Sequence, residues 1–288
     1  MTADRVVIAG ASGFIGRALV EELAAAKCEI VALTRTPDAA GLRFPAGVKA
    51  AGWDGRTAGD WAGLIEGALA VVDLTGDSLA RGRWTKAKKA RILASRVEPG
   101  AALVAAIRRA KVRPRVFVQA SGIAFYGSSG ETEVDESSPS GEGFLAGVAR
   151  EWEASTREVE ALGVRRAVVR SGLVLGRGGG AWPSLARPFR FFVGGPLGSG
   201  RQWFSWIHLE DEARAMRFLI ERQDLAGAFN LTAPHPLRQR ELCRAVGRAM
   251  RRPCWFPVPA FVLRLLFGEK AAETLLVSQR IVPRRLIE

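Results

Sequence analysis

The 288-residue chain has one tyrosine, two histidines and three cysteines, and each scarcity removes a class of chemistry. Cys28, Cys243 and Cys254 are odd in number and lack metal-ligand spacing, and His208 and His235 are the only imidazoles, so neither a disulfide framework nor a zinc site is expected. Free thiols fit a reducing compartment. Long hydrophobic runs are missing too. The stretch from Phe256 to Gly268 is short, contains Arg264 and two prolines, and falls below the roughly 20 apolar residues needed to cross a bilayer. No secretory leader is expected, since the glycine turn starts within ten residues of Met1. The expectations are therefore a cytoplasmic location, no metal and no membrane partner.

Acidic residues are in deficit. The chain carries 42 Lys+Arg against 29 Asp+Glu, a net charge of +13, which raises the local concentration of phosphate-bearing molecules. The basic residues are scattered, and the densest run, Arg81 to Arg91, lacks the aromatic interleaving of a nucleic-acid module. That run reads as a solvated helix face or as a surface recognising an anion. No nucleic-acid partner is expected. A small, anionic substrate is, and a homodimer is compatible with a sequence that does not fix the oligomeric state.

What is present begins at Arg5-Val-Val-Ile-Ala-Gly10-Ala-Ser12-Gly13-Phe14-Ile15-Gly16. A β-rich apolar run leads into three glycines spaced three apart, and Ile15, Leu19, Leu23 and Ala26 then repeat at helical spacing. Gly10 permits the tight turn, Gly13 lets the backbone approach a pyrophosphate, and Gly16 lets the helix lie close to the sheet. The helix's free amides and positive dipole end favour phosphate. A dinucleotide site is expected here, the alternative being a plain structural turn.

Further strands are expected at Glu29–Thr34, Val48–Gly52, Ala70–Thr75, Arg115–Ala120 and Arg166–Arg170. Helices are expected over about 86–110, with a break at Pro99, and over Leu145–Leu162. Alternation of this kind predicts an α/β fold, a Rossmann-type doubly wound parallel sheet with ligands at the strands' carboxy ends. From about Ser171 the pattern gives way to glycine-rich loops, a short helix after Asp211 and a proline-rich tail. The expected division is an NADP(H)-binding domain over residues 1–170 and a smaller, partly interleaved substrate-capping lobe over 171–288.

The end of the second strand reads the adenosine ribose, an acidic residue there favouring NAD and an arginine accommodating a 2′-phosphate. Here it reads Leu33-Thr34-Arg35-Thr36, with no carboxylate before Asp38. NADP(H) is the expected cofactor, the alternative for Arg35 being a solvated loop residue. Asp54 is placed to meet the adenine amino group or to close a turn. Leu74, Thr75 and Gly76 end the fourth strand beside the nucleotide.

Several segments together carry a family resemblance: the Gly10–Gly16 turn, Asp73-Leu-Thr-Gly-Asp77, Arg83-Trp-Thr85 with Ser95-Arg96, Ser121 through Tyr126-Gly127, Trp152-Glu153, Gly194 through Trp203, Ser205-Trp-Ile-His208 and Pro257 to Phe261. Over essentially its whole length the chain resembles the atypical extended short-chain dehydrogenase/reductases called epimerase family proteins, which are NAD-dependent epimerase/dehydratase-like. The resemblance implies a Rossmann fold, a small C-terminal lobe and NADP(H) binding, and supplies no substrate. It also implies a short tail beyond a segment like Gln279 to Leu286, leaving open whether the chain is truncated there.

Ordinary members of that superfamily use a Tyr-x-x-x-Lys pair, whose lysine lowers the tyrosine pKa for proton exchange during hydride transfer. Tyr126 is followed four residues later by Gly130, and the helix start offers Phe144 with Val148 or Leu145 with Ala149, so the dyad is absent. Ser121 lies one residue before the usual serine position and is either catalytic or a structural hydroxyl. Asp77 is a candidate base or hydroxyl acceptor. Tyr126, with no lysine partner, is expected to keep a pKa of about 10 and donate a hydrogen bond. Arg201, Gln202, Trp203 and His208 fall where related sugar-nucleotide enzymes bind substrate phosphates or complete the cap, His208 reading more as a supporting group than as a base. Trp84, Trp203 and Trp206 offer a floor for a planar or sugar-like substrate or simply buried area. Two functions follow: an NADP(H)-dependent oxidoreductase or epimerase-like enzyme with an atypical site, or a non-catalytic NADP(H)-sensing regulator.

Overall fold

The computed structural model describes residues 4–38 and 44–288. Seven parallel strands form the central sheet: β1 (Arg5–Ala9), β2 (Glu29–Thr34), β3 (Lys49–Gly52), β4 (Ala70–Asp73), β5 (Val116–Gly122), β6 (Arg165–Ser171) and β7 (Gly227–Leu231). Their order is β7-β6-β5-β4-β1-β2-β3. The order reverses between β1 and β4, and such a switch point opens a crevice at the carboxy ends of the strands. The principal helices are α1 (Phe14–Ala25), α2 (Lys86–Arg109), α3 (Phe144–Ala154), α4 (Trp182–Arg190), α5 (Leu209–Glu221), α6 (Gln239–Met250) and α7 (Ala260–Phe267).

Strand side chains alternate between two apolar layers, as a period of two requires. Val6, Ile8, Val72, Val118 and Phe229 pack with Leu19 and Leu23 of α1 and Met216 and Leu219 of α5. On the other face Val7, Val31, Val71 and Phe117 meet Leu103 and Ile107 of α2. Both faces are covered, which explains why these strands read as continuous apolar runs.

Four details differ from the sequence reading. Helix α2 runs unbroken through Pro99, which is buried along with its neighbour Gly100; a Cβ on Gly100 would meet Ser155 Oγ at 2.7 Å, so the helix lies tight against the segment after α3. The helix expected over 145–162 is two, α3 and a turn at Glu158–Ala161. α5 starts at Leu209 and is 13 residues long rather than short. Strand β7 was not expected at all, and with α5 it returns the chain beyond residue 171 to the central sheet.

The last segment also ties back. Arg280–Ile281 pairs with Glu133–Val134, and Gln279 Nε2 donates to the carbonyls of Ile123 and Gly127 at 3.1 and 2.9 Å. Among the described residues no helix is long and apolar enough to cross a membrane, and no cluster of three metal-ligating side chains occurs.

Candidate functional site

The turn after β1 is built from close backbone approaches. Gly10 has φ +81, and a Cβ there would lie 2.7 Å from the Leu74 carbonyl oxygen, while one on Gly16 would collide with the Gly10 carbonyl. Gly13 donates its amide to Gly10 O at 2.9 Å, and Arg17 Nε donates to Ser12 O at 3.0 Å. Ser12 and Gly13 are exposed at the crevice. Helix α1 has no side-chain cap and no carboxylate in its first turn, so its amino-terminal N–H groups face outward without an internal anion. Phe14 lies against Gly176, Gly179 and Gly180, where any Cβ would overlap its ring, and Ile15 packs on the core.

Arg35 is exposed just past β2. Asp54 closes a turn: it accepts from the amides of Arg56 and Thr57 at 2.8 and 2.9 Å and from Thr57 Oγ1 at 2.7 Å, and these bonds, the Thr57 amide foremost, hold its pKa down at about 2. Beside the glycine turn, Asp73 is wholly buried at the end of β4. One of its oxygens accepts from the Thr75 amide and hydroxyl at 3.0 and 2.6 Å, the other has no partner, and burial lifts its pKa to about 6. Leu74, Thr75 and Gly76 line the edge above it.

Past Gly76 the edge becomes cationic. Asp77 Oδ2 accepts from both Lys88 Nζ and Arg91 Nε at 2.8 Å, and Lys88 above all holds Asp77 at about 2. Arg96 lies under Gly76, where a Cβ would stand 3.1 Å from its Cζ, and its guanidinium sits 5.0 Å from the Trp152 ring. Desolvation brings Arg96 down to about 10, still protonated at neutral pH. Lys88 and Arg91 thus pair with one part-exposed carboxylate, and Arg96 lies buried beneath it, donating to the Asp77 and Ile92 carbonyls.

At the ends of β5 and β6 the polar groups turn inward. Ser121 Oγ donates to Glu153 Oε1 at 2.7 Å, Arg170 grips both Glu153 oxygens at 2.9 Å, Arg170 Nη1 donates to Tyr126 Oη at 2.8 Å, and Tyr126 donates to Asn230 Oδ1 at 2.8 Å. The expectation of an ordinary phenol is corrected: burial pushes the Tyr126 pKa up, against Arg170. Ser121 and Tyr126 share this network, and Asp77 lies outside it. Nearby, Glu212 of α5 accepts from Ser171 Oγ through one oxygen, has no partner for the other, and is raised by burial to about 8.

The residues expected to hold substrate are spread apart. Trp84 stacks edge-on against Phe144 at 5.4 Å and donates to Leu79 O. Gln202 is buried, its amide donating to Leu197 O and Leu275 O at 3.0 Å. Trp203 donates to Glu131 at 3.1 Å and carries Arg238 3.9 Å from its ring, while Arg201 is exposed alongside. His208 caps α5 through Nδ1, 3.4 Å from the Glu210 amide. None of the five lines the cleft of about 230 Å³ between the start of α3 and the C-terminal segment, whose walls include Ala124, Leu145, Arg264 and Glu273. There Glu273 accepts from the Phe144 and Leu145 amides at 3.1 Å, capping the amino end of α3. Close approach by this carboxylate requires Gly143, at φ +107.

Residues 6–232 match the model of the NAD dependent epimerase/dehydratase family. The chain belongs to that family. Residues 258–288 match a domain of unknown function, DUF1731. Among relatives, the chloroplastic SDR39U1 homolog of Arabidopsis thaliana is 39% identical over 98% of this chain and 81% of its own, and the human epimerase family protein SDR39U1 is 34% identical over 98% and 93%. The crystal structure of human SDR39U1 (isoform 2) with NADPH has a TM-score of 0.86 at 34% identity, covering 98% of this chain and 92% of that one. A Thermus thermophilus UDP-glucose 4-epimerase in complex with NAD shares the fold, with a TM-score of 0.73 at 21% identity over 88% and 86%.

The residues present fit a dinucleotide. The fit rests on the Gly10–Gly16 cradle, which added Cβ atoms would fill, and on the uncapped, acid-free start of α1. Sequence reasoning missed Asp73, Arg96, Glu153, Arg170, Glu212 and Asn230 as site-forming residues. A signal existed for three of them: Asp73, Arg170 and Asn230 interrupt apolar strand runs.

Proposed function

We propose that the chain binds NADP(H) at the β1 turn and acts as an oxidoreductase or epimerase-like enzyme on a small, anionic substrate. The observation that carries this reading is the open, acid-free amino end of α1 at the sheet's switch point, with Arg35 rather than a carboxylate past β2. The NADPH in the human relative's structure supports the choice of nucleotide. When bound, the nicotinamide supplies the hydride. Arg91, exposed at the β4 edge with Lys88 and Arg96 behind it, favours a substrate carboxylate or phosphate there, and Asp77, held ionised by Lys88 and Arg91, accepts a hydrogen bond rather than a proton. Ser121 and Tyr126 position the neighbouring strand ends through Glu153 and Arg170. Three free cysteines agree with a cytoplasmic setting.

A second reading, a non-catalytic NADP(H) sensor, is favoured by one observation: the hydroxyls of Ser121 and Tyr126 are both engaged inside the protein. Titration with NADPH and NADH, followed by tryptophan quenching, tests the cofactor. NADPH should bind more tightly, and Arg35→Ala should weaken it by about tenfold, the loss of a charge-assisted contact, while leaving NADH unchanged. Equal affinities in the unaltered protein would remove Arg35 from the site. Turnover of anionic carbonyl compounds or sugar nucleotides with NADPH decides for the enzyme; inertness toward all of them, with NADPH-dependent capture of a protein, decides for the sensor.

A further inference from the structure

The C-terminal lobe carries large apolar side chains where a folded surface normally has few. Phe191 is 68% exposed, with Phe192 and Val193 beside it, and Trp255 is 66% exposed next to Phe256. These segments are one surface: the Trp255 and Phe256 amides donate to Gly194 O at 3.0 and 3.2 Å, and Trp255 Nε1 donates to Phe192 O at 2.8 Å. Helix α7 follows four residues later. Only Leu263 of it is buried, while Phe261 and Leu265, one turn apart, are 70% and 76% exposed and Leu266 and Phe267 continue the apolar cover. An apolar area of this kind on a protein surface marks an interaction site.

Its charge identifies the partner. Over residues 182–195 and 242–268, which carry this surface, the chain has no aspartate or glutamate. Arg187, Arg190, Arg248, Arg251, Arg252 and Arg264 are all exposed around it, and Arg252 lies 4.5 Å from the Phe192 ring. A two-fold contact between copies of this chain would set the arginines of one against those of the other. An aromatic and aliphatic ridge rimmed with arginine instead suits an anionic bilayer surface, where apolar tips enter the acyl boundary and the guanidinium groups remain among the headgroups.

We propose that this face docks the protein on anionic lipid bilayers as a peripheral, non-spanning attachment. This departs from the expectation of no membrane partner, which rested on the absence of a segment able to cross. Because α7 shares Arg264 with the wall of the cleft beneath Glu273, docking sets that cleft beside the headgroups.

Co-sedimentation of the full chain tests the proposal, using vesicles of equal parts phosphatidylcholine and phosphatidylglycerol against vesicles of phosphatidylcholine alone. Binding is expected to the first and to be at least tenfold weaker to the second, with about fivefold contributed by each engaged arginine. The pair Phe261→Ser and Leu265→Ser should abolish it, and the pair Arg190→Glu and Arg252→Glu should weaken it by about thirtyfold or more. NADPH binding by each variant reports that it has folded. Absence of sedimentation with the anionic vesicles overturns the proposal, as does equal sedimentation of folded Phe261→Ser/Leu265→Ser protein. A dimer in solution that this variant dissolves, with no vesicle binding by the unaltered chain, assigns the face to self-association instead.

Discussion

The two ends of the crevice recognise by different means. At the β1 turn the work is done by main chain: Gly10, Gly13 and Gly16 bring amides and a helix end together with no side-chain partner. At the ends of β5 and β6 it is done by side chains, and Ser121, Glu153, Arg170, Tyr126 and Asn230 satisfy one another. A backbone cradle is hard to alter without losing the fold. A side-chain constellation can change its task from chemistry to architecture by substitution of single residues.

The sharpest way to separate the two ends is Arg170→Met. It leaves Glu153 buried without its cation, and denaturant unfolding should show a loss of about 3 to 5 kcal/mol, whereas the NADPH affinity of the folded fraction should hold. Next comes Glu212→Gln. The folded pKa of about 8 stands above the ordinary 4.5, so the protonated form belongs to the fold; its stabilising effect is complete below 4.5 and is lost as pH rises through 8. Between pH 6 and pH 8 the unaltered chain should lose about 2 kcal/mol that the glutamine variant keeps. A flat pH profile in the unaltered chain would show that Glu212 is not held protonated.

Gly16→Ala acts on the other end. The new methyl meets the Gly10 carbonyl, and calorimetry should report NADPH binding weaker by about 1 to 3 kcal/mol with the β5–β6 network unaffected. The smallest effect is Tyr126→Phe, about 1 kcal/mol of stability from the stranded Asn230 and Arg170 groups. Turnover, once a substrate is in hand, should survive it. A collapse in turnover with stability retained would return Tyr126 to the catalytic role and break the contrast drawn above.

Legibility in the sequence follows the same division. The glycine turn and the first six strands are written in local spacing and apolar runs, which report backbone path. Strand β7 is not, because Gly227-Ala-Phe-Asn-Leu is brief and carries a polar residue inward. Asn230 meets a tyrosine 104 positions away, and no local pattern records that meeting. Pro99 misled for a related reason: a break is the local expectation, and tight packing beside Ser155 and Thr156 overrides it. For Arg201 to Trp203 and His208, the sequence marks a cap, yet only tertiary structure shows their polar groups bonded within the lobe and to residues such as Glu131.

The carboxylate of Glu273 on the amino end of α3 has a consequence in time. The start of helix α3 is synthesised 129 residues before its cap, and Gln279 closes the Ile123–Gly127 turn later still. A nascent chain therefore presents α3 with its amino end uncapped and the wall of its cleft unfinished. Until Glu273 and Gln279 emerge, that wall is open to chaperones and proteases, so the order of synthesis sets when the cleft takes its shape.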